Sequence, residues 1–244
     1  MIDKSTVSDI IYRGRVLILA ASFVAAMLEN SRHPVPLWSY GLKPFLSPDK
    51  AVYFSLGRHL AIFFPLLLYS VSLFIRLSAT ATVPKGSVWS MPAISESFMR
   101  DGLYTFLRHP LYTGSAGMIL ALSLMSSLQG ALILCGVGGP FLYFLAKYEE
   151  GRLLLNNPDY KTYMMDTPAF WPRRFSAQSV FHASINPLRK HLGYALRSEA
   201  ANVSLLAGFM SFWVKPDLKL FWVMFSIAFL LSLTAPQWIP SESR

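Results

Sequence analysis

Charge is what this chain most conspicuously lacks. Asp, Glu, Lys and Arg make up 14% of its 244 residues, against about 25% in soluble globular chains. The shortage is uneven: residues 109 to 146, 38 in a row, contain none of the four. Such a composition excludes an ordinary soluble domain, because a chain this short cannot wrap so much apolar sequence in a polar shell. Cysteine is nearly absent as well. Cys135 stands alone, which rules out an intrachain disulfide, and its place inside an apolar run predicts a buried, inert thiol. The five histidines (His33, His59, His109, His182 and His191) show no metal-ligand spacing, so no metal is expected. No serine-centred elbow or Cys-His arrangement offers a protein nucleophile either.

What is there is a series of apolar stretches. The uncharged run holds two of the ~20-residue spans a bilayer needs, with Ser126-Ser127-Leu128-Gln129-Gly130 as the turn between them. Val16–Leu28, His59–Ile75, Ala200–Val214 and Leu220–Pro240 add four more. The first ends in Glu29-Asn30 with no clear small-residue cleavage site, so it reads as a span and not as a removable signal. Trp222 and Trp238 stand near the ends of the last stretch, where interfacial anchors belong. The expectation is an all-α, polytopic integral membrane bundle, one domain over 1–244, with about six transmembrane helices. Spans three and four form a central uncharged hairpin.

The net charge of +9 follows from the same topology and does not call for a nucleic-acid partner. With both termini in the cytoplasm, the inside segments hold 16 of the 22 Lys and Arg, as the positive-inside rule demands. Those basic loops favour anionic lipid headgroups. The triplet Asn202-Val203-Ser204 is placed inside or within a span, so it is discounted as a glycosylation site. The segment from Asn30 to Arg58, rich in proline and aromatics, is expected to lie as an outer loop. Asn186-Pro187 reads as a cap and first helical position. The helix it opens would carry Leu188, Leu192, Ala195 and Leu196 on one face, which fits either an interfacial helix or one packed on the protein.

The chemistry-bearing stretch is "GLYTFLRHPLYTG", Gly102 to Gly114, together with Glu149-Glu150. Pro110 suits the first turn of span three. Arg108, His109 and Tyr112 then gather at that helix's positive end, a natural place for an anionic group. At about 1.5 Å per residue, arms of similar length bring Glu149 and Glu150 back to the membrane face of Arg108 and His109. The arrangement suits either a ligand site or a structural ion-pair clamp. Gly136, Gly138, Gly139 and Pro140 interrupt span four, through close helix packing or through a kink that opens a gap.

Taken with "EEGRLLLNNPDYKTYMMDTPAFWP", this set resembles the isoprenylcysteine carboxyl methyltransferase family and the related phospholipid N-methyltransferases. The resemblance rests on Gly102 and Tyr104, then Arg108, His109, Pro110, Tyr112 and Gly114. After an apolar hairpin it continues with Glu149 and Glu150, and ends with Tyr160, Tyr163 and Pro172. It covers a core of roughly 100–173. The chain departs from the family pattern at Asn157-Pro158-Asp159, where members often carry Phe-Gly before the first of these tyrosines.

The resemblance implies a membrane methyltransferase using S-adenosylmethionine on the cytoplasmic face. Its cofactor-binding residues would be Tyr104, Arg108, His109, Pro110, Tyr112, Gly114, Glu149 and Glu150. The cofactor's carboxylate suits Arg108 and His109, and its amino group and ribose hydroxyls suit the two glutamates. Arg173 and Arg174 are candidates for an acidic group on the substrate. A lipophilic, membrane-resident acceptor is expected. A phospholipid amine or a small thiol are alternatives within the same chemistry. An NADPH-dependent sterol reductase-like enzyme and a non-enzymatic transporter are alternatives outside it; a transporter would want ionisable residues near mid-bilayer, where the hairpin has none.

Overall fold

The computed structural model describes residues 14–32, 51–84, 98–173 and 176–214, with a few isolated positions near the N-terminus and beyond 214. These residues form helices, with no strand among them. The helices are α1 (Arg15–Arg32), α2 (Ala51–Thr82), α3 (Pro110–Met125), α4 (Leu128–Asn156), α5 (Tyr160–Asp166), α6 (Ala177–Ser198) and α7 (Ala200–Val214). A short 3-10 turn, Gly102–Thr105, precedes α3. Most of span six, Leu220–Pro240, and most of the Asn30–Arg58 loop lie outside the described residues.

Among the described residues, two helical stretches are long and apolar enough to cross a membrane: His59–Thr82, mean hydropathy 2.1, and Leu128–Asn156, mean hydropathy 1.6. Each is only 33% buried within the fold. Leu60, Phe63, Phe64, Leu67 and Val71 of α2 and Leu132 and Val137 of α4 all stand exposed. A core helix of a soluble protein hides such side chains, whereas lipid solvates them.

The central hairpin forms as expected, with α3 ending at Met125 and Ser126-Ser127 making the turn. Asn30, at the end of α1, holds that turn from outside. Its Oδ1 accepts from the Ser127 N–H at 2.7 Å and its Nδ2 reaches Ser126 Oγ at 3.4 Å. The α1 helix packs along the first turns of α4, so its two ends meet the two ends of the hairpin. On the other side α2 lies against α3. Gly114 and Gly117 make this approach close, since a Cβ at Gly114 would sit 2.8 Å from the Ser72 carbonyl oxygen and one at Gly117 would collide with Ser72 Oγ. Leu66, Tyr69, Leu73, Met118, Leu122 and Phe209 fill the core between α2, α3 and α7.

Four local expectations are corrected. The second span does not end at Arg76: α2 continues to Thr82 and carries Arg76 inside the fold. At its other end α2 begins at Ala51, so the tail of the expected outer loop is helical. The helix expected to open at Pro187 begins at Ala177, capped by Ser176, whose Oγ accepts from the Ser179 N–H. Pro187 sits within it and the chain kinks at His191, while Leu192 and Leu196 remain exposed and Ala195 is buried. Cys135 is exposed, not buried, with its Sγ 3.2 Å from Ser123 Oγ.

The glycines of span four divide between the two readings. Gly138 packs on Ile119, but a Cβ on Gly136 or Gly139 would meet nothing within 4 Å. A wide π-type turn, Leu134–Gly138, runs up to Pro140. Proline has no N–H to give the preceding turn and its ring crowds the carbonyl four residues back, so the helix widens there.

Candidate functional site

The start of α3 and the polar last turns of α4 meet, as equal hairpin arms require. Pro110 occupies the first turn of α3 and is fully buried. Before it, the Arg108 and His109 N–H groups donate to the Pro168 and Ala169 carbonyls at 2.9 and 3.1 Å. Thr113 Oγ1 lies 3.3 Å from the Phe170 carbonyl oxygen. The loop beyond α5 is thus laced to the head of α3.

Beneath that loop, Tyr160 and Tyr163 of α5 are buried against Phe98. Tyr163 donates to the Tyr104 carbonyl at 2.6 Å. Burial pushes the Tyr163 phenol up to about 12 against the pull of Arg108 and Arg100, which keeps it a neutral donor. Gly102 turns the chain here with φ +58. A Cβ at that position would approach Thr82 Oγ1 to 2.7 Å, so both conformation and space require glycine. The Tyr-x-x-Tyr element and Gly102 therefore build the floor of the site.

Glu150 is the hub. It is 3% exposed. His109 Nε2 lies 3.0 Å from Oε1, Arg108 Nη1 lies 3.1 Å from the same oxygen, and Lys147 donates to Oε2 at 2.8 Å. A carboxylate only accepts, so His109 Nε2 carries the proton. The hydrogen bonds from His109 and Lys147 and the ion pair with Arg108 offset the cost of burying this carboxylate.

The His109 ring is 4% exposed and lies beside Phe170 and Tyr112. Arg108 is different. Its side chain is nine-tenths buried, yet Nε and Nη1 make no hydrogen bond among the described residues, the Nη1 contact with Glu150 being an ion pair without hydrogen-bond alignment. Buried guanidinium donors without acceptors are costly.

Glu149 faces the other way. Its Oε1 accepts from Tyr112 and, at 2.9 Å, from Tyr12. Tyr12 lies 137 residues away in sequence; it is buried, stacked on Tyr148 and covered by Arg15. Sequence reasoning missed it, since nothing local marks an aromatic ahead of a span as a partner for a distant glutamate.

Of the residues singled out by sequence, Tyr104, Arg108, His109, Pro110, Tyr112, Glu149 and Glu150 thus gather at one end of the hairpin. Gly114 instead forms the contact with α2. Arg173 stands exposed on the loop beyond α5, donating to the Met165 carbonyl at 3.3 Å. Arg174 lies outside the described residues.

A second buried ion pair, set against Leu111 and Ser115 of α3, was not foreseen. Arg76 clasps Glu199 through Nε and Nη2, both at 2.8 Å, and its Nη1 reaches Ser115 Oγ and the Leu111 carbonyl. Thr80 and Asn202 donate to the same carboxylate. That bond ties Asn202 into the network. Small polar residues flanking Arg76, such as Ser72 and Thr80, are the one sequence signal that could have pointed to this network.

No family model, curated protein or solved structure matches the chain.

Proposed function

We propose that this chain is a multi-pass membrane enzyme that transfers a methyl group from S-adenosylmethionine to a lipophilic acceptor, in the manner of isoprenylcysteine carboxyl methyltransferases. The observation that carries the reading is Arg108: a buried guanidinium whose Nε and Nη1 make no hydrogen bond among the described residues, held beside His109 at the head of α3. Such a group calls for an anion, and the cofactor's carboxylate is one of the right size. Glu150 holds Arg108 and His109 in place. Glu149 offers a carboxylate oxygen to the cofactor's amino group or ribose hydroxyls.

S-adenosylmethionine, when bound, supplies an electrophilic methyl on a positively charged sulfur. The chain's part is to align the acceptor for in-line attack and to keep water out. Phe170 and Tyr112 flank His109 and supply apolar cover. Gly136 and Gly139, exposed at the wide turn of α4, would let a membrane-resident acceptor approach the helix closely on its way to the site. Arg173 and Arg174 suit an acidic group on it. In this reading six spans cross the bilayer, both termini are cytoplasmic, and the site opens to the cytoplasmic face.

The test is calorimetric titration of the purified protein, in detergent with lipid supplied, using S-adenosylhomocysteine and separately NADPH. Binding of the first and not the second is expected. Turnover should then follow the mole fraction of a prenylated cysteine analogue or phospholipid in the lipid phase. Absence of S-adenosylhomocysteine binding by folded protein would overturn the methyltransferase reading. Methylation of a small water-soluble thiol alone would overturn the lipophilic acceptor.

A further inference from the structure

We propose that Tyr12, from the segment ahead of α1, is a positioning residue of the cofactor site and acts through Glu149; this rests on the methyltransferase reading. The site is therefore not confined to the 100–173 core. Glu149 receives two phenol hydroxyls on one oxygen, Oε1: Tyr112 from α3 and Tyr12 from 137 residues away. Its other oxygen, Oε2, has no hydrogen bond among the described residues. Two donors on one oxygen fix the carboxylate's rotation and aim Oε2 as an acceptor for a ligand's N–H or O–H.

Tyr12 is itself well held. It is 3% exposed, its ring lies 4.7 Å from that of Tyr148, and the Arg15 guanidinium sits 4.3 Å over its face. At the far end of α1, Asn30 is bonded to the hairpin turn. The helix is thus pinned to the hairpin at both ends, which gives the Tyr12 hydroxyl a fixed position.

A double-mutant cycle tests this, with S-adenosylhomocysteine affinity measured by calorimetry for wild type, Tyr12→Phe, Glu149→Gln and the double variant. Phenylalanine keeps the ring stack and removes only the hydroxyl. Tyr12→Phe should weaken binding about tenfold, the size of one hydrogen bond to a charged group. The ligand-free melting temperature should fall only by the loss of one hydrogen bond, so affinities are compared well below the melting range of every variant. In the Glu149→Gln background the same change should add nothing, because the oriented carboxylate is gone. Unchanged affinity in Tyr12→Phe overturns the proposal while leaving the methyltransferase reading standing. So does an equal loss in both backgrounds, which would mean that Tyr12 acts through packing alone. Wild-type protein that does not bind S-adenosylhomocysteine overturns both.

Discussion

Two buried ion-pair networks stand against α3 in this molecule, and they differ in how completely they are satisfied. Around Arg76 and Glu199 the charge is closed. The guanidinium gives both of its inner donors to the carboxylate and a third nitrogen to α3, while Thr80 and Asn202 complete the acceptor side. This network joins α2, α3 and α7. Around Arg108, His109 and Glu150 the carboxylate is equally well served, but Arg108 Nε and Nη1 make no hydrogen bond among the described residues.

The same residue types at similar burial therefore reach opposite outcomes. A network meant only to hold helices together has every reason to close, because each unpaired buried donor costs stability. One that stays open on its cationic side is prepared for an anion. The bland explanation of charges at span ends, a structural clamp, suits the first network and accounts for only part of the second.

Breaking the closed network should have the largest effect, and it should fall on stability. Glu199→Ala leaves a buried arginine without its counter-charge. A loss of ~3–5 kcal/mol is expected, measured by denaturant unfolding in detergent. A loss well below 1 kcal/mol would show that the Arg76 pair holds little together, and the contrast between the networks would collapse.

A smaller effect is expected from Glu150. Glu150→Gln removes the charge on which His109, Arg108 and Lys147 converge. It should be less stable than wild type by about 1–3 kcal/mol, measured by denaturant unfolding in detergent. Unchanged stability would contradict the charged hub.

Much of this arrangement is legible in the sequence where the governing interaction is local or follows from helix rise. The run without charge from His109 to Ala146 fixes a hairpin. Equal arms then return Glu150 to His109, as the 3.0 Å contact shows. Pro110 marks the start of α3 because its missing N–H costs nothing there.

Legibility ends where partners are distant in sequence. Arg76 reads as the edge of an apolar run, since a charge beside such a run ordinarily marks the interface. Its partner lies 123 residues on, and no periodicity encodes that pairing. Tyr12 escapes for the same reason. The start of α6 was misplaced for a different one. Asn186-Pro187 has the chemistry of a cap, but Ser176 caps the helix first, and the helix absorbs Pro187 with a kink at His191.

The central claim is that the open side of the Arg108 network receives the cofactor's carboxylate. The most direct measurement is the affinity of S-adenosylhomocysteine for wild type and for Arg108→Ala by calorimetry, with a melting curve of each protein without ligand. Arg108→Ala should lose at least about tenfold in affinity, while its ligand-free melting temperature falls clearly less than that of Glu199→Ala, because Glu150 keeps His109 and Lys147 as partners. Equal affinity in the two proteins, or a collapse of the ligand-free fold in the variant, would show that Arg108 belongs to a clamp like that of Arg76 and is not a ligand site.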